Sequence, residues 1–220
     1  MKEFSKWTIE EVEDTFQLTQ VDTLPLLTAW ESAEVLMTPE EEAQLRVLAD
    51  RLRRAVHDWN EEELKLKFIG LLILLADYDQ ADYRAFFERP IAVKVNHERL
   101  AGVVDCIVSA GKRSPKRPFF CLHEYKPEKR ASDDPMGQTV IALVAAQKLN
   151  DDGQPLYGAY VVGRNWYFVV LADKEFVVSK EYDATQEADL RQIFRMLKQI
   201  KTLLEARLTT GTREHDGQTA

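Results

Sequence analysis

Residues 119–126 read FFCLHEYK. Apolar at its start and charged at its end, this stretch predicts a β-strand that runs from the interior to a wet edge. Alternation places Phe120, Leu122, Glu124 and Lys126 on one face and Phe119, Cys121, His123 and Tyr125 on the other. A carboxylate and an ammonium therefore share the strand's end. They form either a simple salt bridge or part of a chemical site, and the surrounding chain bears on which.

Working backward, IAVKV (91–95) and ERLAGVVDCIVSA (98–110) predict two strands paired across Asn96-His97, followed by a basic loop, GKRSPKRP (111–118). Working forward, residues 132–150 predict a helix with Asp134 as cap, Pro135 in its first position, and a core stripe of Val140, Ile141, Val144, Ala145 and Leu149. PLYGAYVVG (155–163) and WYFVVLA (166–172) predict a hairpin through Gly163-Arg164-Asn165, and EFVVS (175–179) a further strand.

Helices flank this core. One is expected over 8–16. Another, over 38–56, opens with Thr38, Pro39 and Glu41, the signature of a capping box with a proline start. A third, over 59–78, is capped by Asn60, and its acidic first turn suits the positive end of the helix dipole. Residues 184–208 predict a long amphipathic helix, and 209–220 a polar, disordered tail. Three regions result: helices over 1–57 packed on the core, an α/β domain over 58–208, and the tail.

The 220 residues are 45% hydrophobic and 30% charged, enough for one large domain. The longest apolar run, FIGLLILLA (68–76), is about half of the ~20 residues needed to span a membrane. No basic segment followed by an apolar stretch opens the sequence, so no secretion signal is expected. Cys106 and Cys121 are too few for a disulfide framework and are expected as buried thiols in a reducing cytoplasm. The net charge of −8 argues against a non-specific nucleic-acid coat. The charge is uneven, however: residues 1–63 hold 6 Lys/Arg against 16 Asp/Glu, and residues 89–130 hold 10 against 4. The cations gather around the strand that ends in Glu124 and Lys126.

Asp105 lies inside the apolar run GVVDCIV. A carboxylate there is costly to bury unless a cation meets it. Glu124 follows on the neighbouring strand, and two converging carboxylates need a shared cation or a shared proton. A hard divalent ion suits them, since Mg²⁺ takes one or two carboxylates and completes its shell with water and phosphate oxygens.

VVD (103–105) followed by EYK (124–126), in an αβββαβ order, resembles the PD-(D/E)XK phosphodiesterase superfamily, the restriction-endonuclease-like fold. The resemblance covers roughly residues 58–172. It is strengthened by the Glu-rich helix before the first strand, by Gln138 in DPMGQ, and by the hairpin pattern of Tyr157, Gly158, Gly163, Trp166 and Phe168. Val104 stands where the family usually has Pro. The resemblance implies an α/β fold with a mixed central sheet, and a nuclease dependent on Mg²⁺ (or Mn²⁺) whose substrate is nucleic acid, DNA in the first instance. It also implies a homodimer as one assembly, because small nucleases of this type often cut both strands that way.

The roles it implies fall on particular residues. Asp105 and Glu124 would hold the metal. Lys126 would orient a water or help deprotonate it, and would stabilise the added phosphate charge. Glu61 would hold a second metal or a water, and Gln138 would hydrogen-bond near the site. Of the three glutamates at 61–63, Glu61 falls within ~20° of Phe68 on the helical wheel; its alternative role is only to favour the helix dipole. Lys112, Arg113, Lys116 and Arg117, with Lys129 and Arg130 beyond the strand, would grip phosphates or simply face water. The competing function is a non-catalytic binding or scaffolding protein in which the charged residues form a structural ion cluster.

Overall fold

The computed structural model describes residues 2–128 and 134–216, with side chains through Thr209. Strands β3 (Tyr83–Val95), β4 (Glu98–Ala110) and β5 (Lys116–Lys126) form an antiparallel meander. Helix α6 (Pro135–Asn150) then crosses over, so that β6 (Leu156–Val162) lies parallel to β5. Antiparallel β7 (Asn165–Ala172) and β8 (Glu175–Val178) continue the sheet. Short pieces complete it: β1 (Lys2–Glu3) parallel to β4, β2 (Thr19–Gln20) parallel to β8, and β9 (Tyr182–Asp183) on β7. The sheet is therefore mixed.

Helices cover both faces. One face carries α2 (Pro25–Glu31), α3 (Pro39–Ala55), α4 (Glu61–Leu64), α5 (Gly70–Ala76) and α7 (Glu187–Asp216), packed on Cys106, Tyr125, Tyr157, Trp166 and Phe168. The other carries α6 and α1 (Ile9–Phe16), packed on Leu100, Ile107, Leu122 and Leu171. No helix among the described residues is long and apolar enough to cross a membrane.

The caps form as the sequence predicts. Thr38 and Asn60 each close a capping box, with Glu41 and Glu63, and Asp134 accepts from the Gly137 amide at 2.8 Å. Instead of burying one stripe, α6 is buried on nearly every side from Gly137 to Ala146, because α1 and the turn at Phe4–Lys6 lie across its outer surface. A helix apolar all round is one covered all round.

Four expectations change. The first core strand begins at Tyr83 rather than at residue 91. Pro90 disguised the strand, and the position tolerates proline because β3 is an edge strand paired only with β4. Phe120 does not share a face with Leu122: in the ladder Val108 pairs with Cys121 and Ser109 with Phe119, leaving Phe120 as an extra residue. This bulge sends Phe120 to the α7 side together with Cys121. The basic loop shortens, since Lys116 and Arg117 already belong to β5. Finally, α7 does not stop at Leu208 but continues to Asp216, so residues 209–216 are helical backbone rather than disordered tail; residues 217–220 lie outside the described residues.

Candidate functional site

The site sits where the regular pairing of β3, β4 and β5 gives way. Register between β3 and β4 runs from the Tyr83–Ala110 pair to the Val95–Glu98 pair and skips only Glu88 and Asp105. Glu88 has φ of +51°, in the left-handed region that a non-glycine residue seldom adopts. The core pattern of β4 changes phase at the same level: Leu100 and Val104 pack on the α6 side, whereas Cys106 and Val108, also even-numbered, pack on the α7 side. On its other edge, β4 pairs with β5 only as far as Cys106–His123. Beyond that pair the Asp105 carboxylate takes over: its Oδ2 accepts the Tyr125 amide at 2.7 Å.

The second oxygen of Asp105 meets a residue that the sequence reading passed over. Lys65 Nζ donates to Asp105 Oδ1 at 2.7 Å and to Glu88 Oε1 at 2.9 Å, and lies 2.8 Å from Glu61 Oε1. Lys65 opens a π-helical turn, Lys65–Ile69, set between α4 and α5. Such turns often mark functional positions. The signal was legible. Lys65 follows Glu61 by four residues, so if Glu61 faces the site, Lys65 does too.

Glu124 and Lys126 pair at 2.8 Å on β5, both largely buried. Burial raises the Glu124 carboxyl, and the Asp105 charge raises it further, to about 7, despite the adjacent ammonium. Burial also raises Asp105, against the pull of Lys65. Both lysines are raised as well. Burial alone would lower them, but the hydrogen bonds of Lys65 to Asp105 and Glu61, and the charge of Glu124 beside Lys126, hold both above the ordinary lysine value. Within the Glu124–Lys126 pair both groups thus lean toward holding a proton: the ammonium keeps its charge, and the carboxyl is drawn toward its neutral form. Burial with a second carboxylate nearby outweighs one ion pair. The Glu61 charge acts on Asp105, Glu124 and Lys126 alike, so these four groups share one electrostatic neighbourhood.

The other expected residues lie apart from it or are not joined to it. Gln138 is buried on α6, and its amide nitrogen has no hydrogen-bond partner among the described residues. Lys112, Arg113, Lys116 and Arg117 are exposed at the far end of the β4–β5 hairpin. At ~3.3 Å per residue, the five residues from Asp105 to Ala110 span roughly 17 Å. Lys129 and Arg130 lie outside the described residues. His123 is a core residue, its ring nitrogens meeting Cys121 Sγ at 3.2 Å and the Tyr125 hydroxyl at 2.8 Å; burial lowers it to about 4, so it is neutral at pH 7. Cys106 and Cys121 are free and buried.

Glu61 turns toward the site as the wheel predicts, but its carboxylate meets Lys65 rather than an open position. Among the described residues, no group of three or more His, Cys, Asp or Glu side chains is placed to hold a metal ion. The pair Asp105 and Glu124 still fits a hard cation bound mainly by water: both carboxyls are largely buried and the charge of Asp105 raises Glu124, although Lys65 and Lys126 already pair with them. Lys65, Glu88, Asp105 and Tyr125 also line a pocket of about 390 Å³, together with Leu66, Ile69, Ile73, Leu74 and Phe87.

No protein-family model matches the chain, and comparison with curated proteins gives no match.

Proposed function

We propose that the chain is a metal-dependent phosphodiesterase that hydrolyses nucleic acid, with DNA as its substrate. The observation that carries this reading is the meeting of Asp105, Glu124 and Lys126 at the point where β4 and β5 separate, with the Tyr125 amide fixing Asp105. The order α4–α5, β3, β4, β5, α6, β6 supports a restriction-endonuclease-like core. Asp105 and Glu124 would hold Mg²⁺ or Mn²⁺, and Glu124 would release its proton as it did so. When bound, such an ion supplies Lewis-acid polarisation of the scissile phosphate and an activated water.

The chain's own groups supply the rest. Lys126 is held protonated, so its part is to place positive charge where the phosphate gains negative charge. A raised ammonium favours this part over the expected role of Lys126 in deprotonating water. The exposed cations of the 111–117 hairpin tip would touch phosphates several nucleotides from the cut, as a long polyanion permits.

The test is incubation of the protein with labelled single-stranded DNA, duplex DNA and RNA in Mg²⁺ or Mn²⁺. Cleavage should stop with EDTA and in Asp105→Ala and Glu124→Ala. Absence of cleavage of every substrate in either metal refutes the reading.

One observation favours the second reading, a binding protein with a structural ion cluster. Lys65 already neutralises Asp105, and the adjoining pocket combines carboxylates with exposed apolar side chains, Leu66 at 73% and Leu74 at 72% exposure. Calorimetry separates the two, since the ion-cluster protein binds no divalent cation at Asp105 and Glu124.

A further inference from the structure

We infer that Lys65 is a built-in second cation of this site: its ammonium fills the place between Asp105 and Glu61 that a second metal ion would take, so that the chain binds one divalent cation and not two. The inference rests on the metal-site reading above.

A single nitrogen gathers carboxylates from three separate elements, Glu61 from α4, Glu88 from β3 and Asp105 from β4, at 2.8, 2.9 and 2.7 Å. Those are hydrogen-bond distances. Mg²⁺ needs its oxygens at ~2.0–2.1 Å, so the cage is sized for an ammonium. This agrees with the finding that no three acidic or other ligating side chains are placed for a metal ion among the described residues.

The local backbone is shaped to the same end. Lys65 opens a π turn and Glu88 is left-handed, and the two meet beside Asp105. Glu62 Oε1 lies 4.0 Å from the same ammonium, so a fourth carboxylate adds to the negative charge around Lys65. Lys65 touches Asp105 Oδ1 and the Tyr125 amide touches Oδ2, so a metal ion shared with Glu124 would use a remaining lone pair of Asp105, and no oxygen is left over for a second ion.

Lys65 is therefore a positioning residue. It fixes Asp105 and excludes a second ion, and the readout of that role is metal stoichiometry rather than turnover. Titration of the full chain with Mn²⁺ by calorimetry should give one ion per chain for the wild type and two for Lys65→Met, which keeps most of the apolar stem and removes the ammonium. A Lys65→Met variant that still binds one ion, however tightly, overturns the inference while leaving the metal site standing. A wild type that binds two ions overturns it as well. A wild type that binds none overturns both the inference and the metal-site reading.

Because Lys65→Met leaves the carboxylates around it uncompensated, a second measurement uses the wild type alone. Electron paramagnetic resonance of the Mn²⁺-loaded protein should show an isolated ion, and a spin-coupled pair would overturn the inference.

Discussion

The amide of Tyr125 donates to Asp105 Oδ2 at 2.7 Å, across the point where the ladder between their strands has ended. The carboxylate thus does the work of a main-chain acceptor and presents its other oxygen to cations. Asparagine can keep the first role but not the second. Asp105→Asn is expected to fold with a melting temperature within a few degrees of the wild type and to lose divalent-metal binding in calorimetry. Asp105→Ala loses both roles and leaves the Tyr125 amide unpaired, at a further cost of about 1–3 kcal/mol. Wild-type metal affinity in Asp105→Asn would mean that Asp105 is only a structural acceptor.

Glu124 and His123, adjacent in sequence, respond to acid in opposite ways. Burial and the Asp105 charge raise Glu124 from 4.5 to about 7, so the stability it contributes is full below pH 4.5 and fades as pH rises through 7. Burial lowers His123 from 6.5 to about 4, so its contribution is present above pH 6.5 and is lost as pH falls toward 4. Between pH 4.5 and 6.5 the two offset one another. Glu124→Gln removes one arm, and its metal-free melting temperature should therefore fall with acid more steeply than that of the wild type. Equal slopes would rule out a buried, protonated Glu124. In the wild type, metal affinity should weaken by up to ~10-fold per pH unit below 7, because the ion competes with that proton.

Much of this was legible from local signals. Asp105, Glu124 and Lys126 could be read from strand alternation and from the cost of a buried carboxylate. The boundaries of α3 and α6 could be read from Thr38 and Asp134, because caps act within one turn. What stayed hidden depends on departures from period. The bulge that isolates Phe120 and the phase change at Asp105 each reverse the face assignment of the residues beyond them, and no count of alternating residues reveals where a strand slips. Lys65 was hidden differently. In KLK it reads as one of two solvated charges, and only its distance of four residues from Glu61 places it inside. The helical character of 209–216 had no apolar stripe to announce it.

Gly137 ties the N-terminal segment to the core. A Cβ there would stand 2.7 Å from Ile9 N and Trp7 O and 2.8 Å from Thr8 C, all backbone atoms. Asp134 holds the same segment, with Oδ2 accepting from the Ile9 amide at 2.7 Å. Gly137→Ala should force the segment off α6 and cost about 1–3 kcal/mol, as overpacking in a fitted core does. The expected readout is a melting temperature several degrees lower with metal affinity unchanged, since Asp105 and its partners face α4. A variant that melts like the wild type would show that the segment is not seated on α6.

The Glu124–Lys126 pair returns the question posed by the strand's end. If Lys126 serves only to neutralise Glu124, then Lys126→Ala strands a buried carboxylate and should mainly lower the melting temperature. If its charge serves the reaction, the same variant should still fold and bind metal, and its cleavage rate should fall by about 10²–10³, the usual cost of one lost electrostatic stabiliser. Lys126→Arg divides the second case. Since Glu124 holds the Lys126 ammonium protonated, its contribution is charge, and arginine keeps charge while changing the shape of the donor. Lys126→Arg is therefore expected to cut faster than Lys126→Ala and slower than the wild type. Single-turnover cleavage rates at saturating Mg²⁺, alongside melting curves, give the answer. An arginine variant as inactive as alanine would assign Lys126 the acceptance of a proton, and an alanine variant with full rate but an early melt would leave the strand's end a salt bridge and nothing more.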